Sequence, residues 1–126
     1  MAVRATIDVQ AADANGATGV DLKAVMQTIE AVAGDKYNNR GGNVLFIISA
    51  DTDASVNVTI DSVADPYARE GDLGPTAIGF SVIMAFGPFS PRLFNQSGAD
   101  DGFVHVDYDT YVPGVGFGVE AVALSS

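Results

Sequence analysis

The chain has 126 residues, 48% of them hydrophobic and 9% aromatic, and it contains no cysteine. This length predicts one domain over residues 1–126, and the lack of cysteine excludes disulfides, thiolate metal sites and cysteine nucleophiles. Six basic and sixteen acidic residues give a formal net charge of −10, and no apolar run approaches the ~20 residues of a membrane span, so we expect neither nucleic-acid binding nor membrane insertion.

The N-terminal segment predicts an extended arm. Residues 3–9 alternate between apolar and polar side chains, as a half-buried strand or arm does, and turn-forming residues follow as far as residue 19. The segment lacks a basic region followed by an apolar stretch, so we expect no secretory export. The domain is therefore divided into an arm and loop (1–19), a core (20–110) and a C-terminal strand (111–126).

The segment over residues 20–33 allows two interpretations. Its apolar residues share one stripe of a helix with Asp21 as N-cap, and they are Leu22, Val25, Met26, Ile29, Val32 and Ala33. A strand through Val25 and Ile29 fits the same letters, although Lys, Ala and Glu are weak strand formers. The pattern alone leaves helix and strand open.

The middle of the chain predicts two strands. Residues 44–48 are a continuous apolar run rich in β-branched side chains, which is typical of a central strand. Residues 55–61 alternate cleanly and place Val56, Val58 and Ile60 on a buried face. Because only a short turn separates the two runs, we expect them to be adjacent antiparallel strands.

The second half of the chain predicts further strands between polar turns. Residues 63–75 are expected to form a loop over one end of the fold. Residues 76–86 are expected to form a strand in which Gly79 marks either a bulge or a close backbone approach. Residues 103–109 alternate with Val104, Val106 and Tyr108 inward, and residues 117–124 form a last strand before two fraying serines. Six to eight short strands predict a mainly β fold, an antiparallel β-sandwich resembling a jelly roll with an extended N-terminal arm.

The stretch GPFSPRLFNQ, residues 87–96, predicts a rigid aromatic corner. Pro88 and Pro91 fix φ and remove two donors, so this piece cannot lie inside a sheet. Arg92 adds a permanent, directional charge. The apolar side chains around it either close one end of the sandwich or meet another subunit, and they are Phe86, Phe89, Leu93 and Phe94.

The residues that carry chemistry elsewhere give no site here. His105 is the only histidine, and triads and zinc sites need partners that the sequence does not name. The acidic pairs at 51/53, 100/101 and 107/109 lack EF-hand spacing, so we interpret them as turn formers, with calcium binding the alternative. No nucleophile elbow or phosphate loop is present. We expect no enzyme activity, no metal and no cofactor.

Two long stretches of the chain resemble a known group. GDKYNNRGGNVLFIISADTDASVNVTIDS and GPFSPRLFNQSGADDGFVHVDY are similar to sequences of small structural proteins encoded among the head genes of tailed bacteriophages. The likeness covers about residues 19–109, and the C-terminal segment 111–126 departs from it. The resemblance implies a β-sandwich and favours an extended conformation for residues 22–33.

The resemblance also implies a function. Such a chain would be a capsid decoration (cement) or minor head protein, present in the host cytoplasm during assembly and then on the capsid surface of the virion. Its partners would be the major capsid protein and further copies of itself, with a homotrimer as the first expectation. The partner-binding residues would come from the arm (Val3, Arg4, Ile7 and Val9) and from the corner (Phe86, Pro88, Phe89, Pro91, Arg92 and Phe94).

Two other functions stay open at this point. One is a phage tail-tube, tail-terminator or head-completion protein, which would form rings of a different symmetry. The other is a carbohydrate-binding adhesion module, in which exposed Tyr37, Tyr67 and Tyr111 would stack on sugar rings.

Overall fold

A computed structural model describes residues 3–11, 21–39, 42–62 and 72–125 and shows two β-sheets packed face to face. The first sheet has the strand order β1 (Ala5–Thr6), β4 (Asp35–Asn38), β9 (Phe103–Val112), β6 (Ser55–Ile60), β7 (Leu73–Ile78). The second has the order β2 (Val9–Ala11), β10 (Val119–Ser125), β5 (Val44–Ala50), β8 (Ile83–Phe86), and β3 (Gln27–Thr28) also pairs with β10. The predicted β-sandwich is confirmed.

In the described parts of the chain, helical structure is confined to single turns. These are α1 (Leu22–Val25), α2 (Pro91–Phe94) and a 3₁₀ turn at Gly98–Asp100. Every helix within the described ranges is too short to cross a membrane. The open segment at 22–33 therefore contains both alternatives, a helical turn capped by Asp21 followed by the short strand β3.

The N-terminal segment is extended, as predicted, and it pairs with the chain's own sheets. Strand β1 runs parallel to β4 in the first sheet, and β2 runs parallel to β10 in the second. Ile7 lies between them with 1% of its surface exposed. These parallel pairs make both sheets mixed, while the other strand pairs are antiparallel.

Two predicted strand arrangements are wrong. Strands β5 and β6 are not neighbours, because the turn at residues 51–54 carries the chain from the second sheet to the first. Residues 76–86 are not one strand, because the turn at residues 79–82 sends β7 and β8 to opposite sheets. Alternation of apolar residues specifies the buried face of a strand, and it contains no information about the sheet that the strand joins.

The remaining sequence expectations are met in part. Strand β9 places Val104 and Val106 in the core, as predicted, with Tyr108 packed against them. The predicted loop over residues 63–75 lies outside the described residues up to residue 71, and Leu73 already begins β7. Ser125 does not fray, because it is buried in β10 and paired with Val44.

The core fills the space between the sheets. Its largest pair is Tyr37 from β4 and Phe46 from β5, whose rings stack with centroids 5.4 Å apart. The predicted inward residues of β6 are all buried, namely Val56, Val58 and Ile60. One face of each sheet is therefore used by the core, and the two outer faces remain for other roles.

Candidate functional site

The outer face of the second sheet is mainly apolar. Ile47 of β5 is flanked by Ala85 of β8 and by Val122 of β10, and none of the three belongs to the central core cluster. The next row across the same strands contains Ile83, Ser49 and Glu120. A continuous apolar run such as that in β5 is typical of a strand covered on both faces, and Ile47 is only 8% exposed.

The turn α1 lies next to this face, and residues of both line a groove. Asp21 accepts a hydrogen bond from the Ala24 backbone N–H at 3.3 Å and so fixes the start of the turn. The groove encloses about 180 Å³ and is lined by Leu22, Lys23, Met26, Ile47, Ser49, Ile83, Phe117 and Glu120. Lys23 extends its ammonium to 4.9 Å from the centre of the Phe117 ring. We call this space the apolar groove.

One wall of the apolar groove is an edge strand. Within the described residues, β8 is the last strand on its side of the second sheet. The Ala50 N–H donates to the Val82 carbonyl at 3.0 Å. Since hydrogen bonding alternates along an antiparallel pair, the backbone N–H and C=O groups of Ile83 and Ala85 point away from β5. Ile83 is 69% exposed, so this edge presents both backbone groups and an apolar side chain.

Loops at one end of the sandwich bring further apolar side chains near this edge. The Asp51 carbonyl accepts from the Ser81 N–H at 3.1 Å, and the Asp51 N–H donates to the Gly118 carbonyl at 2.9 Å. Asp53 accepts from the Val115 N–H at 3.0 Å. These bonds hold the three loops together, and Phe80 and Val115 project from them, 61% and 97% exposed.

The aromatic corner closes the other end. The rings of Phe89 and Phe94 pack 4.9 Å apart and are almost fully buried. Asn39 is also buried, and its Nδ2 donates to the Phe89 carbonyl at 3.0 Å and to Asn95 Oδ1 at 2.7 Å. Gly42 passes close by with a φ of +91°, where an added Cβ would lie 2.8 Å from Pro91 Cδ. Of the two alternatives for these rings, closure of the sandwich is the one observed.

The predicted partner-binding residues other than Arg4 therefore divide into three groups. Ile7, Phe89 and Phe94 are core side chains, so their assignment to a partner surface is corrected. Val9 and Phe86 are half-buried and pack against the core. The exposed members are Val3, Pro88, Pro91 and Arg92.

Arg4 is used within the chain. Its NH1 donates to the carbonyls of Asp35 and Val106, each at 3.1 Å, and its NH2 forms a 2.8 Å ion pair with Asp107. Gly34 lies under this guanidinium with a φ of +84°, and a Cβ there would come within 2.6 Å of Arg4 NH1. The arginine predicted to bind a partner therefore fastens β1 to the first sheet.

The outer face of the first sheet is polar, and its charges pair with one another. Asp100 accepts from Lys36 Nζ and contacts His105 Nε2, both at 2.7 Å, and these partners lower the pKa of its carboxyl. Burial, together with the Asp107 and Asp72 carboxylates, raises the pKa of Asp61 to about 7. The pKa of Asp107 is lowered by its hydrogen bonds with Asp61 and Arg4, against the opposing effect of burial.

A buried carboxylate joins this face to the core. Asp35 is fully buried and accepts from the Tyr108 hydroxyl at 2.7 Å and from the Glu30 backbone N–H at 3.3 Å. Burial raises the pKa values of Asp35 and Tyr108. The Tyr108 hydroxyl and the Asp35 carboxylate are hydrogen-bonded to each other, so both side chains have a structural role.

The prediction that the acidic pairs form turns is confirmed for 51/53 and for 100/101, which lies at the 3₁₀ turn, and it is wrong for 107/109, which lies within strand β9. The Asp51 carboxylate accepts from the Thr52 N–H at 2.8 Å, and Asp53 holds the Val115 loop. Within the described ranges, no three His, Cys, Asp or Glu side chains come together as metal ligands. The tyrosines expected to stack on sugars do not form a platform, because Tyr37 is fully buried, Tyr111 is half-buried and Tyr67 lies outside the described residues.

Sequence reasoning missed the apolar groove, because its lining comes from separate segments that no short motif connects. The one sequence signal was the helical stripe of apolar residues at Leu22 and Met26, which predicted a helical turn with one apolar side. Comparisons with known proteins found no matching family model, no matching curated protein and no matching solved structure.

Proposed function

We propose that this chain is a non-enzymatic structural protein of the virion, a decoration (cement) protein on the outer surface of a tailed-phage head. The observation that carries the proposal is the difference between its two outer faces. One face pairs its own charges, whereas the other presents the apolar groove, the exposed Ile83 and an edge strand. A protein that coats a shell needs one side for the shell and one side for water.

Two further features support this function. The fold needs no disulfide, so it forms under the reducing conditions of a host cytoplasm, where phage heads assemble. The net charge of −10 keeps a protein with exposed apolar side chains soluble before it binds. The sequence resemblance to phage head proteins supplies the identity of the partner, the major capsid protein.

Self-association belongs to the same proposal. Copies on a shell follow the local symmetry, and a homotrimer at a three-fold position is the first expectation. The exposed residues of the corner, Pro88, Pro91 and Arg92, lie at the end of the sandwich opposite the Phe80 and Val115 loops. We assign the corner to contacts between copies and the groove face to the shell.

The test is reconstitution on phage heads that lack the protein. Purified chain is mixed with these heads, washed and imaged by cryo-electron microscopy. Density repeated over the outer lattice is the expected result. Density at one vertex would indicate a head-completion or tail protein instead, and bare particles would refute the proposal.

A further inference from the structure

We infer that the β8 edge and the apolar groove together bind an extended peptide segment of another protein, which adds a strand to the second sheet. The segment carries one large apolar side chain, flanked on the same face by lysine or arginine. The inference rests on the proposed function, and it names the surface that the coat protein would use.

Within the described residues, the β8 edge lacks the usual protection against strand addition. Natural sheets guard their edges with charged residues, prolines or bulges. Residues 73–91 contain no Asp, Glu, Lys, Arg or His, in a chain where charged residues make up 17% of the total. Both edge strands of this segment are therefore uncharged. Strand β7 has Pro75 and a register shift against β6, whereas β8 has neither.

Strand β8 offers backbone hydrogen-bonding groups to an incoming strand. The N–H and C=O groups of Ile83 and Ala85 point outward, which provides two donors and two acceptors for an incoming strand. Strand addition of this kind draws affinity from such main-chain bonds and specificity from pockets for alternate side chains.

The apolar groove has the size of one large side chain. The apolar groove begins at Ile83, so it lies beside any strand that pairs with β8 on the outward face. Its volume of about 180 Å³ is close to the ~150 Å³ of an apolar cavity that holds one benzene ring. The groove therefore takes one aromatic or large aliphatic side chain, and it is too small for a longer apolar ligand.

The charges around the groove favour a basic partner. Glu120 lines the groove, and Asp51 and Asp53 lie in the loop hydrogen-bonded to Ser81, just before β8. Among the described residues that line the groove, the one cation is Lys23, and its ammonium lies over the Phe117 ring. Together with the net charge of −10, this favours a basic segment over a second copy of the acidic chain.

The experiment uses the full chain and a blocked synthetic peptide, Thr-Lys-Val-Phe-Val-Lys-Thr, whose two lysines and phenylalanine share one face of a strand. Amide chemical shifts are followed by NMR while the peptide is added. Two matched peptides replace either the phenylalanine with alanine or both lysines with aspartate. We expect saturable binding with shifts centred on β8 and the groove, and at least tenfold weaker binding of both matched peptides.

The protein variants are Ala85→Pro and, as the matched control, Ala85→Thr. Proline removes an N–H that points away from β5, so the internal ladder is kept, whereas threonine keeps the N–H. Ala85→Pro should weaken peptide binding at least tenfold, and Ala85→Thr should leave it within twofold. Ile83→Lys, which adds a charge to the same exposed edge, gives a second test if Ala85→Pro lowers the unfolding midpoint.

Several results would overturn the inference. These are equal binding by Ala85→Pro and the parent chain, shifts away from β8, no binding, or a concentration-dependent dimer that Ala85→Pro abolishes, which would make a second copy the occupant. The same variants applied to phage heads separate the two proposals. Heads decorated equally by both variants would leave the proposed function standing without this edge, and peptide binding without decoration would leave the edge standing without the function.

Discussion

The two outer faces of this sandwich differ in how completely their side chains are satisfied by contacts within the chain. On the first sheet, Asp100 and Asp107 each have a cationic partner within 2.8 Å, so the polar side chains are satisfied by their neighbours. On the second sheet, Ile47 is 8% exposed and lines the apolar groove together with Leu22 of α1, while Ile83 stays 69% exposed beside it. The difference teaches that the first face is complete within one chain, whereas the second is finished only in part.

The largest effect should come from breaking the buried carboxylate that anchors the polar side. Asp35→Ala would leave the Tyr108 hydroxyl and the Glu30 N–H without their acceptor, and we expect the free energy of unfolding to fall by about 2–3 kcal/mol. Urea denaturation measures it. The matched control is Asp109→Ala on the neighbouring strand β9, which is exposed and should change stability by less than about 0.5 kcal/mol. Equal losses in both variants would show that burial of this carboxylate contributes nothing special.

The polar face was the easier of the two to predict from sequence. The alternation in β6 and β9 correctly placed Val58 and Val106 inward, because side chains on a strand alternate between faces. The continuous run in β5 correctly predicted a central strand, which lies between β10 and β8. The sequence contained no indication of which sheet each strand would join. The turn at residues 51–54 looks like a hairpin turn and residues 79–82 look like part of one strand, although each crosses between sheets.

The candidate site was harder to predict, for a physical reason. The corner was recognisable because its prolines lie close together in sequence, yet burial of Phe89 and Phe94 depends on Asn39, far away in the chain. The groove joins Leu22 to Phe117, and such contacts between distant segments leave no local pattern. Periodicity therefore identified the elements, while the surface assembled from them required the three-dimensional structure.

A smaller effect is expected where the apolar face is only half covered. Met26 lies between α1 and β3 and lines the groove, so Met26→Ala should lower the free energy of unfolding by about 1 kcal/mol, below the 2–5 kcal/mol of a fully buried site. Thermal unfolding followed by circular dichroism measures the change. Lys23→Ala on the same turn is the control, and it should cost less than about 0.5 kcal/mol because it removes only an exposed contact with Phe117. A loss above 2 kcal/mol at Met26 would show that this face is as closed as the core.

The polar face should also respond to pH. The pKa of Asp61 is raised from 3.8 to about 7 in the folded chain, so the folded state holds this proton more tightly than the unfolded state does. Stability from this group is present at low pH and is lost as pH rises from about 4 to about 7. Because Asp61 is partly exposed, solvent limits the loss to less than about 1 kcal/mol.

Asp61→Asn tests this pH dependence, since an amide donates to Asp107 at every pH. The variant should be more stable than the parent chain at pH 8, and the gap should close towards pH 4. Urea midpoints at intervals between these values measure it, with Asp72→Asn as the control that removes only one of the neighbouring charges. A constant gap across the whole range would rule out titration of Asp61 as the cause.

The smallest effect on stability is expected at the most exposed point of the apolar face. Ile83→Ser should change the free energy of unfolding by less than about 0.5 kcal/mol, because 69% of this side chain already faces solvent. The same substitution should remove decoration of phage heads, since it takes the apolar wall from the groove. Phe80→Ser, at a side chain that is 61% exposed and lies outside the groove, is the matched control and should leave decoration in place. If Ile83→Ser instead lost more than 1 kcal/mol of stability and kept decoration, this face would belong to the chain's own core, and the contrast between the two faces would disappear.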